Sequence, residues 1–234
     1  MVFKVKTMSS NGRFKAVLFD LEDTLVKTAE PAEVFKRILE VYGVRVSFSD
    51  IGKAHRKSQK QFDVEEMAEK GLDYWIEWNV KILQRVGIKE NREFLARKID
   101  ELWFEYAGLE VYSDVVETLT KLRARNVRMG AVTNGFQRDF QKIMRQLELT
   151  SFFDIVVGID ACMKAKPNRE IFLYAIKKLR VRPGETIFVG DSVKLDYNGA
   201  ERAGLKPLLI NRNGKIPIGV EAITSLPEVL RNIG

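Results

Sequence analysis

Cysteine and histidine are almost missing from this chain: one of each in 234 residues, Cys162 and His55. A single thiol excludes an internal disulfide and suits a reducing, cytoplasmic setting. Without a cluster of cysteines and histidines the usual ligand set of a zinc site is absent. Long apolar runs are absent too. None approaches the ~20 residues needed to cross a bilayer, so no membrane partner is expected. Residues 1–13 are mixed and polar and lack the apolar centre of a signal peptide. They read as a tail or a first edge strand carrying Val2, Phe3 and Val5. The chain carries neither an internal repeat nor a low-complexity segment.

What is present fits a folded protein. The composition is 45% hydrophobic and 30% charged, and the length allows one large domain or two small ones with a real core. The net charge is +7 and the sequence pI about 9.4. Basic residues are interleaved with acids, and the densest patches, at 55–57 and 177–182, are short. Solvated helix faces account for them, so nucleic acid is not an expected partner. A positive field would still draw in a small anion. His55 reads as a solvated residue of a basic helical stretch, and Cys162 as a small packed side chain.

The chain is organised around residues 15–25. The apolar run Ala16–Phe19 leads straight into Asp20, Glu22 and Asp23. A short apolar run with polar flanks reads as a buried strand. Carboxylates where such a strand leaves the core are costly unless they bind a cation or do chemistry.

Helix signals then dominate from Pro31 to Tyr106. Pro31 opens a helix marked by Val34, Phe35, Ile38, Leu39 and Tyr42. Ser49 or Asp50 caps a second, extending to about Lys70. Leu72, Trp75, Ile76, Ile82 and Leu83 mark a third, stopped near Gly87. Asn91 caps a fourth, with Phe94, Leu95, Ile99, Leu102, Trp103 and Tyr106 on its inner face. The short connections imply a four-helix bundle, with Trp75 and Trp103 as packing residues. From Val111 onward helix and strand alternate: helices near 114–125, 136–147, 171–176 and 195–203, strands at 127–132, Ile155–Val157, 186–189 and 207–210, and a closing helix at 226–233. Such alternation implies parallel strands covered on both faces. The expected fold is a Rossmann-like three-layer α/β core, at 1–26 and 108–234, with an all-helical insertion at 27–107.

In an open parallel sheet, ligands bind beyond the carboxyl ends of the strands. Asp20 and Glu22 follow the first apolar run, and Thr133-Asn134-Gly135 follow 127–132. Lys164, Lys166 and Pro167 lie beyond the third strand. Gly190-Asp191-Ser192 follow the fourth, with Asp196 five residues after Asp191. Several carboxylates in one crevice call for a divalent cation, and an all-oxygen set favours magnesium. A hydroxyl and a lysine ammonium add donors for phosphate oxygens. A carboxylate can attack phosphorus to form an acyl-phosphate, and a second acid two residues on can protonate the departing alkoxide.

These pieces, in this order, resemble the haloacid dehalogenase superfamily, phosphatase branch. Residues 20–25 (Asp-Leu-Glu-Asp-Thr-Leu) resemble its first motif, 132–135 (Val-Thr-Asn-Gly) its second and 166–172 (Lys-Pro-Asn-Arg-Glu-Ile-Phe) its third. Residues 189–192 (Val-Gly-Asp-Ser), with Asp196, Gly199, Ala200, Ala203 and Gly204, resemble its fourth. The resemblance spans about 14–210. It implies Asp20 as nucleophile and magnesium ligand, and Glu22 as acid/base with its carbonyl on the metal. It also implies Thr133 and Asn134 at the phosphate, Lys166 neutralising Asp20 and phosphate, Asp191 on the metal and Asp196 supporting Lys166 or a metal-bound water. The helical insertion is similar to the family's helical cap.

The chain departs from the family at Glu22, where its phosphatases usually carry Asp. One extra methylene displaces the carboxylate by about an ångström, and such a misplacement can cost on the order of a hundredfold in rate. The expected activity is a magnesium-dependent phosphomonoester hydrolase acting on a small phosphorylated metabolite, as monomer or homodimer. A slow or non-catalytic ligand-binding relative, or a 2-haloacid dehalogenase, are the alternatives.

Overall fold

A computed structural model describes residues 14–212 and 217–233. The expected strand at Val2, Phe3 and Val5 lies outside them. Strand β1 is Ala16–Phe19. A two-residue strand, β2 (Val26–Lys27), precedes five helices: α1 (Pro31–Val41), α2 (Phe48–Gln59), α3 (Val64–Lys70), α4 (Leu72–Arg85) and α5 (Arg92–Tyr106). Then come β3 (Glu110–Val111), α6 (Val115–Ala124), β4 (Arg128–Val132), α7 (Gln137–Gln146), β5 (Ile155–Val157) and α8 (Arg169–Leu179). The chain closes through β6 (Thr186–Gly190), α9 (Asn198–Arg202), β7 (Lys206–Ile210) and β8 (Ala222–Ile223).

Six strands form one parallel sheet in the order β5-β4-β1-β6-β7-β8. β1 is therefore central, with Phe19 beside Ala131 of β4 and Val189 of β6. All four of its side chains are buried. Successive strand side chains point to opposite faces, and β1 divides accordingly. Val17 and Phe19 pack with α6, α7 and the C-terminal 3₁₀ turns Leu226–Asn232. Ala16 and Leu18 pack with α8 and α9. Removing one such side chain, as in Phe19→Ala, costs about 3–5 kcal/mol.

The five helices form a cluster of their own, which also takes in Phe136, Ile159 and Ala165 from loops at the sheet's carboxyl end. Where the chain leaves and re-enters the sheet, β2 and β3 pair antiparallel, and Lys27 is ion-paired with Glu110.

Several elements differ from the sequence expectation. The second helix is two, because Asp63 interrupts it: its carboxylate accepts the Glu65 and Glu66 amides, a cap that starts α3. The insertion therefore has five helices rather than four. Ser47, not Ser49 or Asp50, caps α2. Asn91 precedes α5 in a left-handed conformation without a side-chain cap. The stretch near 195–203 begins as a π-helical turn, Val193–Tyr197, before α9. The closing helix is 3₁₀. His55 is half-buried against the edge of Trp78, not fully solvated. Trp75 and Trp103 pack on the helical cluster as expected. Among the described residues no helix is long and apolar enough to cross a membrane.

Candidate active site

Because β1 lies between β4 and β6, the residues following these three strands emerge side by side. Asp20 continues β1: its N–H donates to the Val189 carbonyl at 2.9 Å. The chain then turns sharply. The Leu25 and Val26 amides return to the Leu21 carbonyl at 2.9 and 3.0 Å, and Asp23 takes a positive φ of 55°. Thr133 follows β4 and Asp191 follows β6.

Asp20, Lys166 and Asp196 are all buried, at 8%, 3% and 2% exposure, so their charges must satisfy one another. The Lys166 ammonium bridges the two carboxylates: it is hydrogen-bonded to Asp20 Oδ1 and lies 2.7 Å from Asp196 Oδ1. The second Asp196 oxygen accepts the Ser192 amide at 3.0 Å. Asp196 reaches this position because residue 190 is glycine. A β-carbon there would lie 2.5 Å from the Asp196 Cβ and Cγ.

Asp20, Asp191 and Asp196 each offer a carboxylate oxygen within 4.8 Å of the others. Three carboxylates thus share one ammonium. Burial alone would lower Lys166, but the two aspartates outweigh it and hold the ammonium above its ordinary range. The excess negative charge falls on the acids. Burial first, then Asp196 and Asp191, push Asp20 up to about 8 against the pull of Lys166. Burial, Asp196 and Asp23 push Asp191 up to about 6. A cluster this short of positive charge fits a hard divalent cation bound through oxygen.

Glu22 is solvent-exposed, with nearby protein still desolvating its carboxyl in part. That desolvation, and then the Asp23 carboxylate, raise it above the usual carboxylate range. Its carboxylate is not one of the three clustered groups. Thr133 is half-buried, and its hydroxyl oxygen accepts the Gly135 amide at 3.1 Å, which leaves its own hydrogen to donate elsewhere. Asn134 has a role the sequence did not reveal. Its side-chain oxygen accepts the Lys166 N–H at 2.7 Å, and its amide nitrogen donates to the Lys166 carbonyl at 3.0 Å. Both main-chain groups of Lys166 are thus clamped from the next loop. Arg202 holds the following carbonyl, Pro167 O, at 3.0 Å. The only sequence signal for this clamp is a polar residue with two-way hydrogen-bonding capacity after a strand. Cys162 is half-buried, with its thiol 3.5 Å from the Lys164 carbonyl. Burial pushes that thiol's pKa up, which suits a packed side chain rather than a nucleophile.

A family model for haloacid dehalogenase-like hydrolases matches residues 14–204. A glyceraldehyde 3-phosphate phosphatase of Methanopyrus kandleri is 32% identical, over 85% of this chain and 84% of that one. Human N-acylneuraminate-9-phosphatase is 29% identical, over 94% and 95%. Among solved structures, a haloacid dehalogenase-type phosphatase from Thermococcus onnurineus superposes with a TM-score of 0.61 at 26% identity, over 93% and 96% of the two chains.

Proposed function

The chain belongs to the haloacid dehalogenase-like hydrolases, and on that basis we propose that it is a phosphatase releasing phosphate from a small phosphorylated metabolite by way of an aspartyl-phosphate on Asp20. The observation that carries this reading is the buried Lys166 bridge between Asp20 and Asp196, beside Asp191. A lone surface acid needs no such support. A carboxylate that must attack a phosphate dianion does, because like charges repel until the site neutralises them.

Asp20 attacks phosphorus, and the bond to the leaving alkoxide breaks as the acyl-phosphate forms. Glu22 supplies the proton to that alkoxide and then takes one from the water that hydrolyses the acyl-phosphate. Its raised carboxyl suits the first, protonated role. The Thr133 hydroxyl and the Asn134 main-chain N–H donate to phosphoryl oxygens, while the Asn134 side chain keeps Lys166 aimed at Asp20. Asp20 and Asp191, with the Glu22 carbonyl, would hold magnesium, which supplies neutralising charge for phosphate when bound. Asp196 remains the partner of Lys166.

In this reading the core is 1–26 and 108–234, and 27–107 is a cap that closes over the crevice and selects the substrate. Phe136 and Ala165, beside the Thr133 and Lys166 loops, pack in the helical cluster, which supports that reading. Relatives named for glyceraldehyde 3-phosphate and N-acylneuraminate 9-phosphate support a small metabolite as substrate. The lone Cys162 suits a cytoplasmic enzyme.

Phosphate release from an aryl phosphate and a panel of sugar and triose phosphates, with magnesium, tests the proposal. Turnover is expected with the natural chain and not with Asp20→Asn. Equal activity in the two proteins would end the mechanism.

A further inference from the structure

A second set of charged side chains, Arg212 and Asp114, braces the turn that carries Asp20; none of the sequence motifs includes them, and Arg212 lies beyond the family match. The match ends at residue 204. Arg212, eight residues beyond, sends its Nη2 to the Thr24 carbonyl at 2.7 Å. The same guanidinium forms a two-pronged pair with Asp114, at 3.0 and 3.1 Å, and its carbon lies 3.8 Å from the centre of the Tyr112 ring. Asp114 also accepts the Leu226 amide at 2.8 Å. Arg212 and Asp114 keep only 16% and 19% side-chain exposure. The next carbonyl of the turn, Leu25 O, accepts the Tyr112 N–H at 3.1 Å.

The turn thus has two ends with different supports. Its first residue, Asp20, is fixed by the sheet. Its far side, besides its own bonds to Leu21 O and the β2–β3 pairing, presents Thr24 O and Leu25 O, two successive carbonyls held by Arg212 and by the main chain of Tyr112. A planar guanidinium can serve a carboxylate with two N–H groups and a carbonyl with a third, which an ammonium on a flexible stem does not reproduce.

We infer that Arg212, clamped by Asp114 and Tyr112, is a positioning residue that fixes the 20–26 turn and with it the aim of Asp20 and Glu22. The inference rests on Asp20 and Glu22 being the reacting pair. The rival explanation is an anchor that merely fastens the C-terminal segment.

Amide hydrogen exchange and steady-state kinetics on Arg212→Met and Arg212→Lys separate these. Positioning predicts that the Leu25 and Val26 amides exchange at least about tenfold faster in both variants, with α8 unchanged. For an aryl phosphate it predicts a fall in kcat of about 10–100-fold with KM within about twofold. Unchanged protection of 20–26 in a folded variant would overturn the inference. So would faster exchange spread evenly into α8, the mark of general destabilisation. Should Arg212→Met fail to fold, Arg212→Lys keeps the charge and stem and decides alone. If the natural chain releases no phosphate, the reading of Asp20 fails, yet the exchange data still decide whether Arg212 holds the turn.

Discussion

The crowding of three carboxylates around one ammonium predicts an unusual dependence of stability on pH. In the metal-free protein Asp20 titrates near 8, against 3.8 in an unstructured chain. Between those values the folded state holds a proton that the unfolded state has released, so stability falls as pH rises. One such proton is worth about 1.4 kcal/mol per pH unit, or about 3 kcal/mol between pH 5 and pH 7. Lys166 does not contribute to that slope. Its pKa is raised, so the stability it adds is fully present below its ordinary value of 10.5. His55 acts with the opposite sign. Burial against Trp78, and then Arg56, lower it from 6.5, so its cost fades as pH rises. Asp20→Asn removes only the first of these terms. The stability of the variant relative to the natural chain should therefore climb by about 3 kcal/mol from pH 5 to pH 7, with His55 cancelling in the difference. A pH-independent offset of about 1.5–3 kcal/mol is expected for the lost charged hydrogen bond to Lys166, so the two curves converge or cross rather than run parallel. Saturating magnesium should flatten the natural chain's profile, because a cation favours ionised Asp20 and Asp191, and act less on the variant, which has lost one of these carboxylates. Urea unfolding in chelator and in magnesium, followed by far-ultraviolet circular dichroism, measures all four curves. Circular dichroism is preferable to fluorescence because Trp75, Trp78 and Trp103 all lie in the helical insertion. Parallel profiles for Asp20→Asn and the natural chain without metal would refute the charge imbalance.

Two further outcomes follow from the same site. Lys166→Met should abolish phosphate release and destabilise the metal-free protein at pH 7 by about 3–5 kcal/mol, because Asp196 is left buried without its counter-charge and protonated Asp20 loses its hydrogen bond to the ammonium; a variant of natural stability in the same unfolding assay would contradict that. Glu22→Asp should raise turnover of small phosphates, since the shorter acid restores the usual reach; a clear fall in kcat would mean that the surrounding walls have adapted to glutamate.

The parts of this protein that could be read from its sequence are those that topology fixes. β1, β4 and β6 are short apolar runs, and a parallel sheet with β1 between the other two brings Asp20, Thr133 and Asp191 together whatever the loops do. That is why residues up to 176 positions apart, from Asp20 to Asp196, could be assigned to one crevice before any coordinates. Short elements escaped for the opposite reason. β2, β3 and β8 have two residues each, too few to show a period. The break at Asp63 was legible in principle, as a capping acid followed three residues later by Glu66, but continuous helical spacing on either side hid it. The π-helical turn at Val193–Tyr197 has no periodic signature distinct from an α-helix over five residues. The bonds that hold the candidate site's groups in place leave little local trace. Asn134 meets the main chain of Lys166, and Arg212 meets the carbonyl of Thr24, 188 positions away. Main-chain partners carry no residue identity, so no spacing or pairing rule points to them. Sequence therefore names the polar groups that topology gathers in one crevice, while the groups that brace them come into view only when the chain is folded. In the proposed mechanism the aim of Glu22 depends on this second set, because a misplacement of about 1 Å can cost on the order of a hundredfold in rate.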